Sequence, residues 1–200
     1  MTTYQILTAE SLPLRSTFYS RTRLLSLAAC AVLAASSMHA QMSMGGDDAK
    51  KPLLSPPAMA NVTLAGQTIS LKYNAPSLRN RAMTSIVPYN QVWRTGANPA
   101  TTLVTPVSLH VGTLLVPAGT YTMYTLPSRD KWMLIINKQT GQWGTVYSQD
   151  RDLGRTEMKA HTLSSSQEVM SLSFEDIKKD SAELHVRWGT TDESVKVSTP

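Results

Sequence analysis

The side chains best suited to chemistry in this sequence form a group of arginines and aromatic residues between positions 79 and 98, and a second segment adds two candidates. Guanidinium groups present forked donors that suit carboxylate, phosphate or sulfate. Tryptophan and tyrosine offer a flat apolar face together with a polar edge. The pattern therefore predicts a cleft for an anionic or glycan ligand. The predicted ligand-binding residues are Arg79, Arg81, Tyr89, Trp93, Arg94, Asn98, Asn137 and Trp143.

The same residues also have a purely structural interpretation. In that interpretation Arg94 is half-buried and satisfies loop carbonyls, and Trp93 and Trp143 fill the core beneath long loops. The residue types alone do not separate this interpretation from a binding cleft.

Catalytic residues are harder to find. The sequence has no Gly-x-Ser-x-Gly elbow, and its histidines lack the short spacing of a catalytic zinc site. We therefore expect no metal and no cofactor. The weak candidates for an acid–base pair are His161 with Asp150 or Asp152. His185 alternates with charged residues along a predicted strand, so we expect it to be solvated.

The first 40 residues have the pattern of a secretory signal peptide. A polar segment ending at Arg23 precedes an apolar run over 24–35 and small residues up to Ala40. The run is too short to span a bilayer, so we expect no transmembrane segment in the mature chain. We predict cleavage after Ala40 and a periplasmic or extracellular protein. The alternative is a lipoprotein anchored through Cys30, the only cysteine, which follows Leu-Ala-Ala.

Composition divides the rest of the chain into a linker and one domain. Residues 41–60 are rich in glycine, proline and charge and predict a flexible linker, which leaves 61–200 as the domain. The formal net charge is +5, and loss of three arginines and one glutamate with the leader leaves +3. These charges are scattered, so we expect no nucleic-acid partner.

From residue 61 onward the hydrophobic period is two, which is typical of half-buried strands. Residues 68–73, 120–126, 170–174 and 182–188 alternate, and 132–136 is apolar almost throughout. Turn residues separate these segments at short intervals. We predict an all-β fold, a single antiparallel β-sandwich of about eight strands with long irregular loops over 74–99 and 137–155. The position of Tyr121 after Pro-Ala-Gly-Thr resembles a tyrosine corner.

Three ordered segments resemble a family of bacterial secreted proteins known as domain of unknown function 2911. They are 87–98 (VPYNQVWRTGAN), 116–121 (VPAGTY) and 137–144 (NKQTGQWG), and the resemblance extends over residues 58–198. It implies an exported, single-domain β protein with no established activity. The chain departs from the family pattern at three positions. Asn80 and Asn90 stand where glycine is frequent, and Pro99 stands where an acidic residue commonly follows Gly-Ala-Asn.

Three functional hypotheses follow. The first is a non-catalytic ligand-binding or interaction module for an anionic or glycan envelope component. The second is a hydrolase or lyase of unrecognised type that uses the loop His/Asp pair. The third is a structural envelope protein whose loops serve stability. The sequence does not identify a partner protein.

Overall fold

A computed structural model describes residues 53–200 and shows two antiparallel β-sheets that do not close into a barrel. The all-β sandwich predicted from the sequence is confirmed. The predicted signal peptide, Cys30 and residues 41–52 of the predicted linker lie outside the described residues. Residues 57–60, which the composition assigned to the linker, belong to the first strand.

Ten strands run along residues 53–200, two more than the predicted number. They are β1 Pro57–Leu64, β2 Gln67–Asn74, β3 Thr101–Thr105, β4 Leu109–Val111, β5 Leu114–Val116, β6 Gly119–Leu126, β7 Met133–Asn137, β8 Asp152–Glu157, β9 Lys159–Glu175 and β10 Ser181–Ser198. Six of them form a sheet in the order β1-β2-β3-β6-β7-β8, and four form a second sheet in the order β5-β4-β10-β9. Short 3-10 turns occupy Met83–Ser85 and Gln149–Arg151.

The main core lies between the two sheets and is built from the apolar members of the alternating strands. Ile69 and Met123 of the larger sheet and Leu109 of the smaller one are fully buried there. Strand β7 is apolar almost throughout, rather than at alternate positions, because it contacts two hydrophobic clusters. Ile136 belongs to this core, whereas Ile135 packs with Tyr124 in a small second cluster. Both faces of β7 are therefore covered.

The two irregular segments pair with each other. The backbone N–H of Gly144 donates to the carbonyl of Asn98 at 3.0 Å, and that of Ala100 donates to the carbonyl of Gln142 at 3.2 Å. Between β2 and β3 the chain carries Pro76, Pro88 and Pro99, which lack the N–H that a strand ladder needs.

Two asparagines in the loop between β2 and β3 occupy turns with a left-handed backbone. Both Asn80 and Asn90 have a φ of 60°. Glycine adopts that conformation at no steric cost, and asparagine tolerates it better than most other residues. Asn80 and Asn90 are therefore compatible with turns that favour glycine.

Strand β10 bends sharply in its middle. His185 and Asp192 are seven residues apart, which in a straight strand would separate them by about 23 Å. Their side chains nevertheless meet, with 2.7 Å between Nδ1 and Oδ1. The pairing with β9 shifts register on both sides of Gly189, whose φ of 60° a side chain would resist. The bend gathers the polar outer-facing residues of both halves of β10.

The predicted tyrosine corner is confirmed. The Tyr121 hydroxyl donates a hydrogen bond of 3.1 Å to the carbonyl of Pro117. This bond ties the start of β6 to the turn that precedes it.

We expect Tyr121→Phe to lower the free energy of unfolding by about 1 kcal/mol, the usual net contribution of one such bond. Urea denaturation should show a lower midpoint with an unchanged slope. Tyr89→Phe is the matched control, because the Tyr89 hydroxyl makes no hydrogen bond with a residue in the described part of the chain. Equal losses in the two variants would show that the corner bond does not stabilise the fold.

Candidate functional site

The loop between β2 and β3 and the loop between β7 and β8 enclose a cleft of about 570 Å³. Five of the eight residues predicted to bind a ligand line it. They are Arg79, Arg81, Trp93, Arg94 and Asn98. We call this the arginine cleft. Gly144 and Tyr147 contribute to its wall from the second loop.

The arginine cleft has an unbalanced positive charge. No aspartate or glutamate is found among the described residues that line it. Within residues 53–200, Arg94 forms no ion pair, and its only hydrogen bond runs from Nε to the Gly96 carbonyl at 3.3 Å. Arg81 donates only to the carbonyls of Ser77 and Leu78. The carboxylate of Glu168 accepts from the backbone N–H of Arg79. All three guanidinium groups thus keep donors free for a ligand.

The backbone that carries Arg94 is strained. Thr95 has a φ of 52°, a value that β-branched residues rarely adopt, and Asn98 has a φ of 60°. Thr95 is fully buried and its hydroxyl donates to Thr125 at 3.1 Å, while the Thr101 hydroxyl donates to the Thr95 carbonyl at 2.8 Å. Strain of this kind persists only where the surroundings enforce it, and such positions cluster at functional sites.

Gly144 supports the arginine cleft by having no side chain. A Cβ at this position would lie 2.9 Å from the Cβ of Arg94 and 2.8 Å from the carbonyl oxygen of Asn98. The Arg94 side chain therefore rests directly on the second loop. The two segments predicted to be functional form a single site through this contact.

The remaining three residues of the predicted set lie elsewhere. Tyr89 lines a different pocket. Asn137 is fully buried and donates to Ser148 and Asp152, so it holds the second loop in place. The Trp143 side chain is 53% exposed and is not part of the cleft wall.

Trp93 lines the arginine cleft, although most of its surface lies in the core. It is only 6% exposed, and its ring stacks on Trp188 and meets Trp132 edge-on, each at a centroid distance of 6.0 Å. Its faces are occupied by protein. The Trp93 ring therefore fills the core, as the structural interpretation expects. The Trp93 backbone, in turn, positions Arg94.

The candidate acid–base residues are not assembled into a pair. His161 is exposed on β9 and shares a hydrogen bond of 3.2 Å with the Ser194 hydroxyl. Asp150 is exposed and bonds the Ser148 hydroxyl, which lowers the pKa of that carboxyl. Asp152 accepts from Tyr147 at 2.7 Å. Burial, together with this bond to Asp152, raises the pKa of Tyr147 to about 12.

The prediction that His185 is solvated is wrong. The bend in β10 places it, 9% exposed, against Asp192. Arg187 Nε also donates to Asp192, at 2.9 Å, and its guanidinium forms an ion pair with Glu175. These donors hold the pKa of Asp192 below its usual value despite burial, and the ion pair with Arg187 does the same for Glu175. Strand periodicity placed His185 on the outer face correctly, but it gave no sign of the bend.

A second pocket, of about 200 Å³, contains a residue that the sequence reasoning missed. Glu193 follows Asp192 on β10 and points to the opposite face. It is 4% exposed, and its Oε2 is buried with no hydrogen-bond partner in the described part of the chain. Desolvation and the nearby charge of Asp192 raise its pKa to about 7. Tyr89 and His161 also line this pocket, which we call the Glu193 pocket.

Fold and sites together define a two-sheet β-sandwich that carries a positively charged cleft on its paired loops. The family model described as "Protein of unknown function (DUF2911)" matches residues 55–197, and the chain belongs to this family. The resemblance seen in the three sequence segments is thereby confirmed. Comparisons with curated proteins and with solved structures found no match. No group of three or more metal-ligating side chains is arranged to hold an ion within residues 53–200. Those residues also contain no helix with the length and apolarity needed to cross a membrane.

We expect Glu193→Gln to stabilise the protein increasingly as pH rises. A carboxyl whose pKa is about 7 when folded and 4.5 when unfolded holds its proton more tightly in the folded state. The Glu193 contribution to wild-type stability should therefore be undiminished below pH 4.5 and fall as pH rises to about 7. The variant should match wild type near pH 4.5 and exceed it by about 3 kcal/mol at pH 8. Urea denaturation across that range measures the difference.

The control is Glu157→Gln, since Glu157 is exposed and paired only with Lys131. It should change stability by less than about 1 kcal/mol at every pH. A Glu193→Gln variant with the same small and constant difference would show that Glu193 has no proton linkage to folding.

Proposed function

We propose that this protein is an exported, non-catalytic binding module and that its arginine cleft holds an anionic group of an envelope component. The observation that carries the proposal is the arrangement of Arg79, Arg81 and Arg94 around one cleft whose described lining contains no carboxylate. Carboxylate, phosphate and sulfate groups fit the forked donors of these side chains. Export rests on the signal-peptide pattern of residues 1–40.

The contacts of Arg94 favour binding over a purely structural role. A guanidinium that stabilises a fold is normally paired or saturated by carbonyls, because burying an unpaired charge is unfavourable. Arg94 is half-buried and makes a single 3.3 Å hydrogen bond to Gly96 within residues 53–200. Its removal would break little that holds the sandwich together.

The separation of the acid–base candidates favours binding over hydrolysis. His161 lies on β9 of the smaller sheet and bonds Ser194, whereas Asp152 lies on β8 of the larger sheet and bonds Tyr147. General acid–base catalysis needs both groups within reach of one substrate. The arginine cleft contains neither of them.

We expect sulfate, phosphate or glucuronate, titrated at constant ionic strength, to raise the melting temperature of the protein. An anion at a hundred times its dissociation constant stabilises the folded state by about 2.7 kcal/mol, equivalent to several degrees. Arg94→Ala should fold and lose this shift. The matched control is Arg151→Ala, which removes the same charge from an exposed turn outside the cleft and should keep the shift.

Two results would contradict the proposal. If both arginine variants kept the same anion shift, the arginine cleft would not be the binding site. If Arg94→Ala without ligand lost the roughly 3–5 kcal/mol expected for breaking a buried ion pair, Arg94 would serve the fold.

We expect Gly144→Ala to weaken anion binding without removing any charge. The added methyl would collide with Arg94 and with the Asn98 carbonyl, so Arg94 must move. Overpacking of this kind destabilises by about 1–3 kcal/mol. Calorimetric titration with sulfate should show a weaker affinity.

Gly141→Ala is the control for this variant. A Cβ there meets nothing within 4 Å, although its φ of 79° makes the substitution strained. Gly141→Ala should therefore lose stability and keep its affinity for sulfate. Unchanged sulfate affinity in Gly144→Ala would mean that the position of Arg94 does not matter for binding.

A further inference from the structure

We propose that the Glu193 pocket is a second ligand site, which takes one hydroxyl-rich ring such as a neutral monosaccharide unit. Glu193 accepts hydrogen bonds from the hydroxyl groups of the ring. This site is separate from the arginine cleft and goes beyond the anion-binding function.

The first observation is the unpartnered carboxylate itself. Glu193 is 4% exposed and its Oε2 has no donor within residues 53–200. Buried polar groups are almost always hydrogen-bonded, and leaving one unsatisfied costs about 1–3 kcal/mol. Asp192, the next residue, has both oxygens occupied by His185 and Arg187. Oε2 is inaccessible to solvent in this structure, so a ligand hydroxyl would supply the missing donor once the Glu193 side chain turns toward the open space of the pocket.

The second observation is the chemistry of the wall. Thr162, Thr190 and Thr191 line the pocket. Each of these hydroxyl groups can donate and accept, as the hydroxyl groups of a sugar do. Tyr89 adds aromatic surface, whereas Trp132 lines the pocket with only 4% of its surface exposed. The volume of about 200 Å³ is below that of sites for drug-sized ligands and suits a single ring.

The charges around the Glu193 pocket argue against an ion as its ligand. The Glu193 carboxylate opposes an anion, which separates this pocket from the arginine cleft. A cation would meet Arg129 and Lys131 at the same wall. Among the lining residues, the positive charges of Arg129 and Lys131 are offset by the negative charges of Asp130 and of Glu193 itself at pH 8, so the lining charges balance. A neutral ligand rich in hydroxyl groups fits this balance.

The test is a titration at pH 8 with glucose, galactose and N-acetylglucosamine, followed by amide NMR shifts. We expect at least one sugar to produce saturable shifts at Thr190, Thr191 and Ala160. Glu193→Gln, which keeps the shape of the side chain, should weaken that sugar about tenfold. Glu157→Gln should bind as wild type does. Arg94→Ala should also keep sugar binding, which distinguishes this site from the anion site.

Several results would overturn the proposal. The first is that none of the three sugars produces saturable shifts up to 100 mM. The second is that the shifts are confined to residues remote from the pocket. The third is that wild type and Glu193→Gln bind the sugar with equal affinity. Methylamine, titrated in parallel, tests the other class of ligand that a buried carboxylate can hold. Saturable shifts at Thr190 and Thr191 with methylamine and not with the sugars would show that the pocket binds an ammonium group rather than a sugar.

Discussion

The placement of Trp93 is the constraint on which both pockets depend. Its backbone exchanges two hydrogen bonds, of 2.7 and 2.9 Å, with Thr125 of β6 beyond the end of β3. Its ring stacks on Trp188 of the other sheet. One residue of a long loop is thus fixed to both sheets at once. Arg94 follows it directly in the arginine cleft, and Trp132, which its ring meets edge-on, lines the Glu193 pocket. A loop without this anchor could not hold a charged side chain in one direction.

The bend in β10 has a comparable role on the other side of the core. Its outer face carries the hydrogen bonds of His185 and Arg187 with Asp192, and its inner face carries Trp188 and, beyond Gly189, Glu193. Adjacent carboxyls therefore face opposite environments. Donors on the outer face lower the pKa of Asp192, whereas desolvation on the inner face raises that of Glu193. The two shifts act on stability in opposite directions. The Asp192 contribution is lost as pH falls, and the Glu193 penalty appears as pH rises.

Short-range patterns in the sequence predicted the parts of the fold that depend on near neighbours. Alternation identified β2, β6 and much of β10, and the Tyr121 corner follows from the Pro-Ala-Gly-Thr turn before it. Arg79, Arg81 and Arg94 line one cleft, as grouped from the sequence, because one loop carries all three. Contacts between distant segments could not be predicted in the same way. The bend that buries His185 depends on register shifts against β9, and Glu193 shares its pocket with residues from distant segments such as Tyr89 and Trp132. Such contacts arise from packing between distant segments rather than from local periodicity.

Backbone contacts, rather than side chains, join the two loops at the arginine cleft. Pro99 forms an isolated bridge with Trp143, flanked by the hydrogen bond from Gly144 to Asn98 and the one from Ala100 to Gln142. Because these bonds use main-chain atoms only, they hold the loops together without placing a carboxylate beside Arg94. The missing side chain of Gly144 lets Arg94 lie against the second loop. The described lining of the cleft contains no aspartate or glutamate, so the loop pairing positions Arg94 without neutralising its charge.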